Sequence, residues 1–193
     1  MKVDWQLSLK DVIGLLVGAP FDWYVCGGWA LDEFICHTTR SHADVDIAVL
    51  RKDVKAIFSY LNQYELQVVS GPDELIANAS PPDLKSPRHA IWVKNKSNGN
   101  WLFELLLNDS TDTNWLYRRN YNCTLPLDRL GIQRNGYKLL APEVVLLYKS
   151  KNPRPVDQKD FSNILPSLPQ SSRQWLKKAL QLTTPGHPWI AQL

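Results

Sequence analysis

The sequence predicts an α+β fold, with strands filling the first two thirds and helices the last third. Short runs of aromatic and β-branched residues, bounded by turn signals, recur as far as Leu140. From Pro142 onward the punctuation is helical, and few strand signals remain. Size agrees: 193 residues, 44% hydrophobic and 21% charged, suit one globular domain, or one domain with a helical appendage. No internal repeat or long low-complexity segment interrupts the chain.

Each element has a local reason. Leu7 to Val17 reads as a helix closed by Gly18 and Pro20. Trp23 to Cys26 is a short strand that runs into Gly27-Gly28, and Trp29 to Cys36 follows as a helix. Asp44 to Leu50 alternates as a strand. Lys52 to Tyr64 reads as an amphipathic helix, with Val54, Ile57, Phe58 and Leu61 at helical spacing. Leu66 to Ser70 is a strand, Asp73 to Asn78 a short helical piece, and Ser80 to Pro87 an exposed proline-rich loop. His89 to Lys94 and Trp101 to Leu107 form a hairpin around the Asn95–Asn100 turn. Asn135-Gly136 joins a second hairpin, Leu130 to Gln133 with Tyr137 to Leu140. Pro142 opens a helix through Lys149, and another covers Asp157 to Leu165. Ser171-Ser172 caps a last basic helix, Arg173 to Leu182, whose Arg173, Lys177 and Lys178 read as a solvated face.

Composition sets broad limits. The net charge of +3 argues neither for nor against a polyanionic partner. Cys26, Cys36 and Cys123 are an odd trio without metal-site or redox spacing, so the cytosol is the expected compartment. The apolar run Val12 to Pro20 is too short to span a bilayer, and Asp4 and Asp11 spoil any basic leader. It reads as a buried first helix, and no membrane association is expected.

The chemistry gathers around two segments. Gly27 and Gly28 let the backbone come close to a ligand, and the helix after them offers free N–H groups and a partial positive end. Asp44 and Asp46 stand at i and i+2 on a strand and so share a face. Adjacent carboxylates make a hard oxygen site suited to Mg²⁺, which takes one or two carboxylates plus phosphate oxygens. Glu104 lies inside the apolar strand Trp101 to Leu107, where a lone charge costs several kcal/mol without a partner. A cation beside Asp44 and Asp46 would be that partner; a salt bridge to Arg88 or Lys94 is the plainer reading. Arg40 either binds phosphate or fixes its loop through an ion pair. His42 is a hydrogen-bonding residue beside the metal rather than a ligand, since Mg²⁺ prefers oxygen. Lys149, at the end of its helix, has the C-terminal placement that a solvated lysine often takes. Asp157 and Asp160 read as capping and ion-pair residues, and His89 as a core histidine or one that faces the acceptor pocket.

Gly27, Gly28, Arg40, His42, Asp44 and Asp46, in that order, resemble the signature of the nucleotidyltransferase superfamily that includes DNA polymerase beta. Within it they look most like the aminoglycoside and lincosamide nucleotidyltransferases. The resemblance implies a nucleotidyltransferase fold: a mixed β-sheet with flanking helices and a mainly helical C-terminal region. It implies a core over residues 1–108, with residues 109–193 packed on it. It implies Mg²⁺ held by Asp44, Asp46 and Glu104, the last a metal ligand or the general base. Gly27, Gly28, Arg40, His42 and Lys149 would serve the nucleotide, with ATP as donor. The acceptor would be a small hydroxylated molecule such as an aminoglycoside or lincosamide, and nucleic acid is not an expected partner. Two other classes fit the same residues: a relative that adenylylates a protein or RNA, and a nucleotide-binding module without catalysis. Glu104 beside the Asp pair would place strand Trp101 to Leu107 next to strand Asp44 to Leu50, with Lys149 and Trp115 turned toward the nucleotide or acceptor.

Overall fold

A computed structural model describes residues 4–71, 74–76, 80, 84 and 87–193. The chain divides into two compact units, one made of residues up to Val25 with His42–Ser110, the other of Cys26–Ser41 with Thr111–Leu193.

The first unit is built on strands β1 (Trp23–Val25), β2 (Asp46–Leu50), β3 (Tyr64–Gly71), β4 (Glu74–Ile76), β5 (Ala90–Asn95) and β6 (Trp101–Ser110). They lie in the order β4-β3-β5-β6-β2-β1. The sheet is mixed: β2 and β6 run parallel, while the other pairs are antiparallel. Alternation gives it two unlike faces. Ile47, Val49, Ile91, Val93, Phe103 and Leu105 share one face and are fully buried. Asp46, Trp92 and Glu104 share the other.

Helices α1 (Leu9–Leu16) and α3 (Val54–Tyr60) complete this unit. Ser8 caps α1 in a reciprocal capping box with Asp11. Val12 and Leu16, and Ile57 with Leu61 after it, are fully buried. Tyr60 donates its hydroxyl to Leu15 O at 3.0 Å, tying α3 to α1. Arg51, after β2, pairs with Asp109 on β6 and donates to the carbonyls of Leu84 and Arg88, anchoring the chain beyond the parallel pair.

The second unit holds α2 (Gly27–Ile35), strands β7 (Asn114–Leu116) and β8 (Thr124–Pro126), the hairpin β9 (Gly131–Arg134) and β10 (Tyr137–Leu140), and helices α4 (Pro142–Lys149), α5 (Pro155–Ile164) and α6 (Gln170–Thr183). Asn135 and Gly136 both have positive φ, 46° and 89°, as a two-residue type I′ hairpin turn requires. The hairpin is fastened to α2 by Tyr137, which donates to Glu33 Oε2 at 2.6 Å, and by Arg134, which donates to Phe34 O at 2.9 Å. Helix α4 is buried from Pro142 through Leu147. Its Glu143 is satisfied by the Ser172 hydroxyl at 2.9 Å.

Several expectations need correction. Asp44 precedes β2, which opens at Asp46. The helix expected to reach Tyr64 begins as a 3₁₀ turn at Arg51–Asp53 and stops at Tyr60, and Tyr64 already pairs with Asn95. Residues 74–76, expected to be helical, add an antiparallel strand to β3, while 73, 77 and 78 lie outside the described residues. Of the proline-rich loop, residues 81–83, 85 and 86 also lie outside them, and Leu84 is buried rather than exposed. Ser171 and Ser172 do not cap α6, which opens at Gln170 behind Pro169. Ser172 is instead drawn inward to Glu143. None of the three cysteines is in a disulfide. No helix among the described residues is long and apolar enough to cross a membrane.

Trp115 is also a correction. Expected to face a ligand, it is fully buried, with Tyr117, Tyr148 and Trp175 ring centroids 6.0 to 6.3 Å away. With Trp189 it is one of the largest fully buried side chains of the second unit. Trp115→Ala should cost about 3–5 kcal/mol, measured by urea unfolding followed by circular dichroism. A loss below about 1 kcal/mol would contradict its place in that core.

Candidate active site

The first unit brings three acids together. β2 and β6 run parallel with Asp46 directly opposite Glu104, and the Glu104 N–H donates to Val45 O at 3.1 Å just ahead of β2. That bond and the burial of Val45 fix the chain between the two aspartates. Asp46 is half-buried, whereas Asp44 is exposed. The Asp46 and Glu104 carboxyl groups are hydrogen-bonded, and the charge of Asp44 also acts on Glu104.

Burial is the main reason that Glu104 is held above the usual carboxylate range. Hydrogen bonds from Trp92 and Asp46 work against that rise, and Asp44 adds to it. Of the two predicted salt-bridge partners, Lys94 lies 4.0 Å from Glu65 and over the Trp101 ring. The partner that the sequence reading lacked is Trp92. Opposite Glu104 on β5, it donates its indole N–H to Glu104 Oε1 at 2.9 Å.

This donor set suits Mg²⁺. It offers hard carboxylate oxygens on a fixed strand pair, and Mg²⁺ commonly completes its shell with water and phosphate oxygens rather than an all-protein cage. Among the described residues, no group of three or more His, Cys, Asp or Glu stands ready to hold a metal ion by itself. His42 lies half-buried two residues before Asp44.

The remaining predicted residues belong to the second unit. Gly27 opens α2 with φ 65°, a left-handed conformation that favours glycine, and no side chain caps the helix start. The first N–H groups of a helix have no intrahelical partner, so this turn presents backbone donors. Asp32 fixes the far end of the same segment, accepting from the Thr39 N–H at 3.0 Å and its hydroxyl at 2.7 Å.

Arg40 and Lys149 meet on one carboxylate. Arg40 makes a two-pronged pair with Asp160, Nε to Oδ1 at 3.0 Å and Nη2 to Oδ2 at 3.1 Å. Lys149 lies 2.8 Å from Asp157 and 3.0 Å from Asp160. Arg154 in turn donates to both oxygens of Asp157. The lysine is therefore no solvated helix end, because α5 supplies both of its carboxylates. Sequence inspection marked Asp157 and Asp160 as ion-pair residues but could not name Arg40, 120 positions from its partner.

Burial alone would raise both aspartates. For Asp157 the hydrogen bonds from Arg154 and Lys149 outweigh it, and for Asp160 those from Arg40 and Lys149 do, so both lie below the ordinary range. A lowered folded pKa means stability that is present above the unfolded value, near 3.9, and lost as pH falls through the folded one. Asp160→Asn should cost on the order of 3 kcal/mol at pH 7. Denaturant titrations should show that gap shrinking below about pH 4. A gap unchanged between pH 7 and pH 3 would mean that the network contributes no charge-dependent stability.

Residues 8–72, which include both glycines, Arg40, His42 and both aspartates, match the model of the aminoglycoside-2''-adenylyltransferase family. No curated protein sequence matches the chain. Among solved structures, the lincosamide antibiotic adenylyltransferase LnuA with lincomycin bound has a TM-score of 0.53 at 16% identity, over 81% of this chain and 93% of that one. ANT(2'')-Ia in complex with adenylyl-2''-tobramycin has a TM-score of 0.57 at 12% identity, over 90% of this chain and 95% of that one. The chain shares its fold with these two solved structures, and its first third resembles the aminoglycoside-2''-adenylyltransferase family.

Proposed function

We propose that the protein transfers AMP from ATP to a hydroxyl of a small molecule of the aminoglycoside or lincosamide kind, releasing pyrophosphate. The observation that carries this reading is the placement of Asp46 opposite Glu104 on parallel strands, with Asp44 beside them. Carboxylates on neighbouring strands are costly to bury unless a proton or a cation is shared between them. A phosphoryl-type transfer needs positioning and charge neutralisation more than covalent help from the protein.

Asp44 and Asp46 would hold Mg²⁺, with Glu104 as a further ligand or as the base. The bound metal would neutralise triphosphate charge and make the attacking hydroxyl more acidic. Glu104, raised by burial, is suited to accept the hydroxyl proton, and Trp92 holds that carboxylate in one orientation. Gly27 and Gly28 would receive phosphate oxygens on backbone N–H groups. Arg40 and Lys149 would add positive charge for the triphosphate. Their partners Asp157 and Asp160 fix both side chains, and three cations against two carboxylates leave that cluster with one net positive charge. The antibiotic classes come from the two structural relatives, whose named ligands are lincomycin and an adenylylated tobramycin.

Asp44→Ala and Asp46→Ala should each lower AMP transfer by at least about a thousandfold while leaving the circular dichroism spectrum unchanged. Pyrophosphate release with lincomycin or tobramycin as acceptor measures this. Either variant at full activity would remove the metal assignment.

A further inference from the structure

Beside the acids, on the same face of the first unit's sheet, stand three tryptophans that the reaction as described leaves without a task, save for the one bond from Trp92. Trp92 pairs with Glu104, Trp101 pairs with Lys94 two residues further along β5, and Trp5 bridges to Trp101. The indoles meet edge to face or tilted: Trp5–Trp92 centroids at 5.4 Å, Trp92–Trp101 at 5.3 Å and Trp5–Trp101 at 6.3 Å. All three are half-buried, so each keeps part of its surface in solvent.

We infer that Trp5, Trp92 and Trp101 form the wall against which the acceptor lies, and that the acceptor it fits is a saturated, hydroxylated ring with few positive charges. This rests on the adenylyl-transfer reading. Trp92 fixes the location, because its N–H holds the carboxylate proposed to lie at the transfer site. The charges along the wall fix the class. Lys94 lies 5.2 Å above the Trp101 ring, and its neighbour Glu65 is engaged by Lys94 and by the Gln67 amide. Asp4, beside Trp5, accepts from Gln6. A polycation would meet a resident cation and carboxylates already hydrogen-bonded or paired. A ring that is apolar on its C–H face and hydroxylated at its edge suits indole faces beside a hydroxyl-accepting carboxylate.

The test compares lincomycin, with one amine, and tobramycin, with several, on the full chain. Trp5→Ala and Trp101→Ala should each raise the lincomycin KM about tenfold. The KM for ATP and kcat should stay within about twofold, since uniform acceptor binding is what is lost. Trp101→Phe should restore most of the affinity. Lincomycin should also protect tryptophan emission of the unsubstituted protein from acrylamide quenching more than tobramycin does, a readout that needs no variant to fold. Unchanged lincomycin KM in both alanine variants, with transfer still running, would overturn the wall and leave the transfer reading standing. Absence of AMP transfer to either drug by the unsubstituted protein would overturn both. Tighter binding of tobramycin would overturn the acceptor class.

Discussion

Asp46 and Glu104 are held side by side, and the first unit is organised around that pairing. Parallel neighbours lie about 4.8 Å apart, and the two carboxyl groups are hydrogen-bonded, while burial and the charge of Asp44 work against the ionised form of Glu104. The sheet holds the pair in register from its other side. Ile47 and Leu105, the next residues along β2 and β6, are opposite one another and fully buried, so the strands cannot slip without exposing the core. The Arg51–Asp109 pair then anchors the chain past the end of β2. Stability spent in this way places negative charge where a cation is wanted. Such local conflict between folding and charge is characteristic of functional sites.

The second unit treats its charges in the opposite manner. Asp157 and Asp160 are buried, but each is met by two cationic side chains, and every one of these contacts has hydrogen-bond geometry or close ion-pair distance. The cluster also fastens the segment that carries Gly27 and Gly28. Arg40 ends that segment and is tied to α5, while Asp32 secures Thr39. Its side chains are held in place by ion pairs, whereas Glu104 of the acid site is held by the Trp92 N–H.

The legible parts of the chain were those where one local requirement admits few residues. The Asn135-Gly136 turn was readable because a type I′ turn needs positive φ twice. The β5–β6 hairpin followed from two apolar runs around an Asn- and Gly-rich loop. Glu104 was readable because a charge inside an apolar strand has few explanations. Elements of three residues were not. β7 and β8 went unseen and β4 was taken for helix, since periods of 2 and 3.6 do not separate over so short a span. Trp92 stayed hidden because its bond to Glu104 depends on hairpin register, which shifts at a bulge between Val93 and Lys94. Arg40 was identified, but its carboxylate partner is a tertiary choice. Trp115 looked like a ligand-facing aromatic and proved to be core, a distinction that burial alone decides.

The most direct measurement is the anomalous scattering of crystals grown with Mn²⁺ and α,β-methylene-ATP, an analogue that cannot release pyrophosphate. The account predicts a manganese peak coordinated by carboxylate oxygens of both Asp44 and Asp46 together with phosphate oxygens. A manganese held by the phosphates alone, or bound away from these two aspartates, would contradict it.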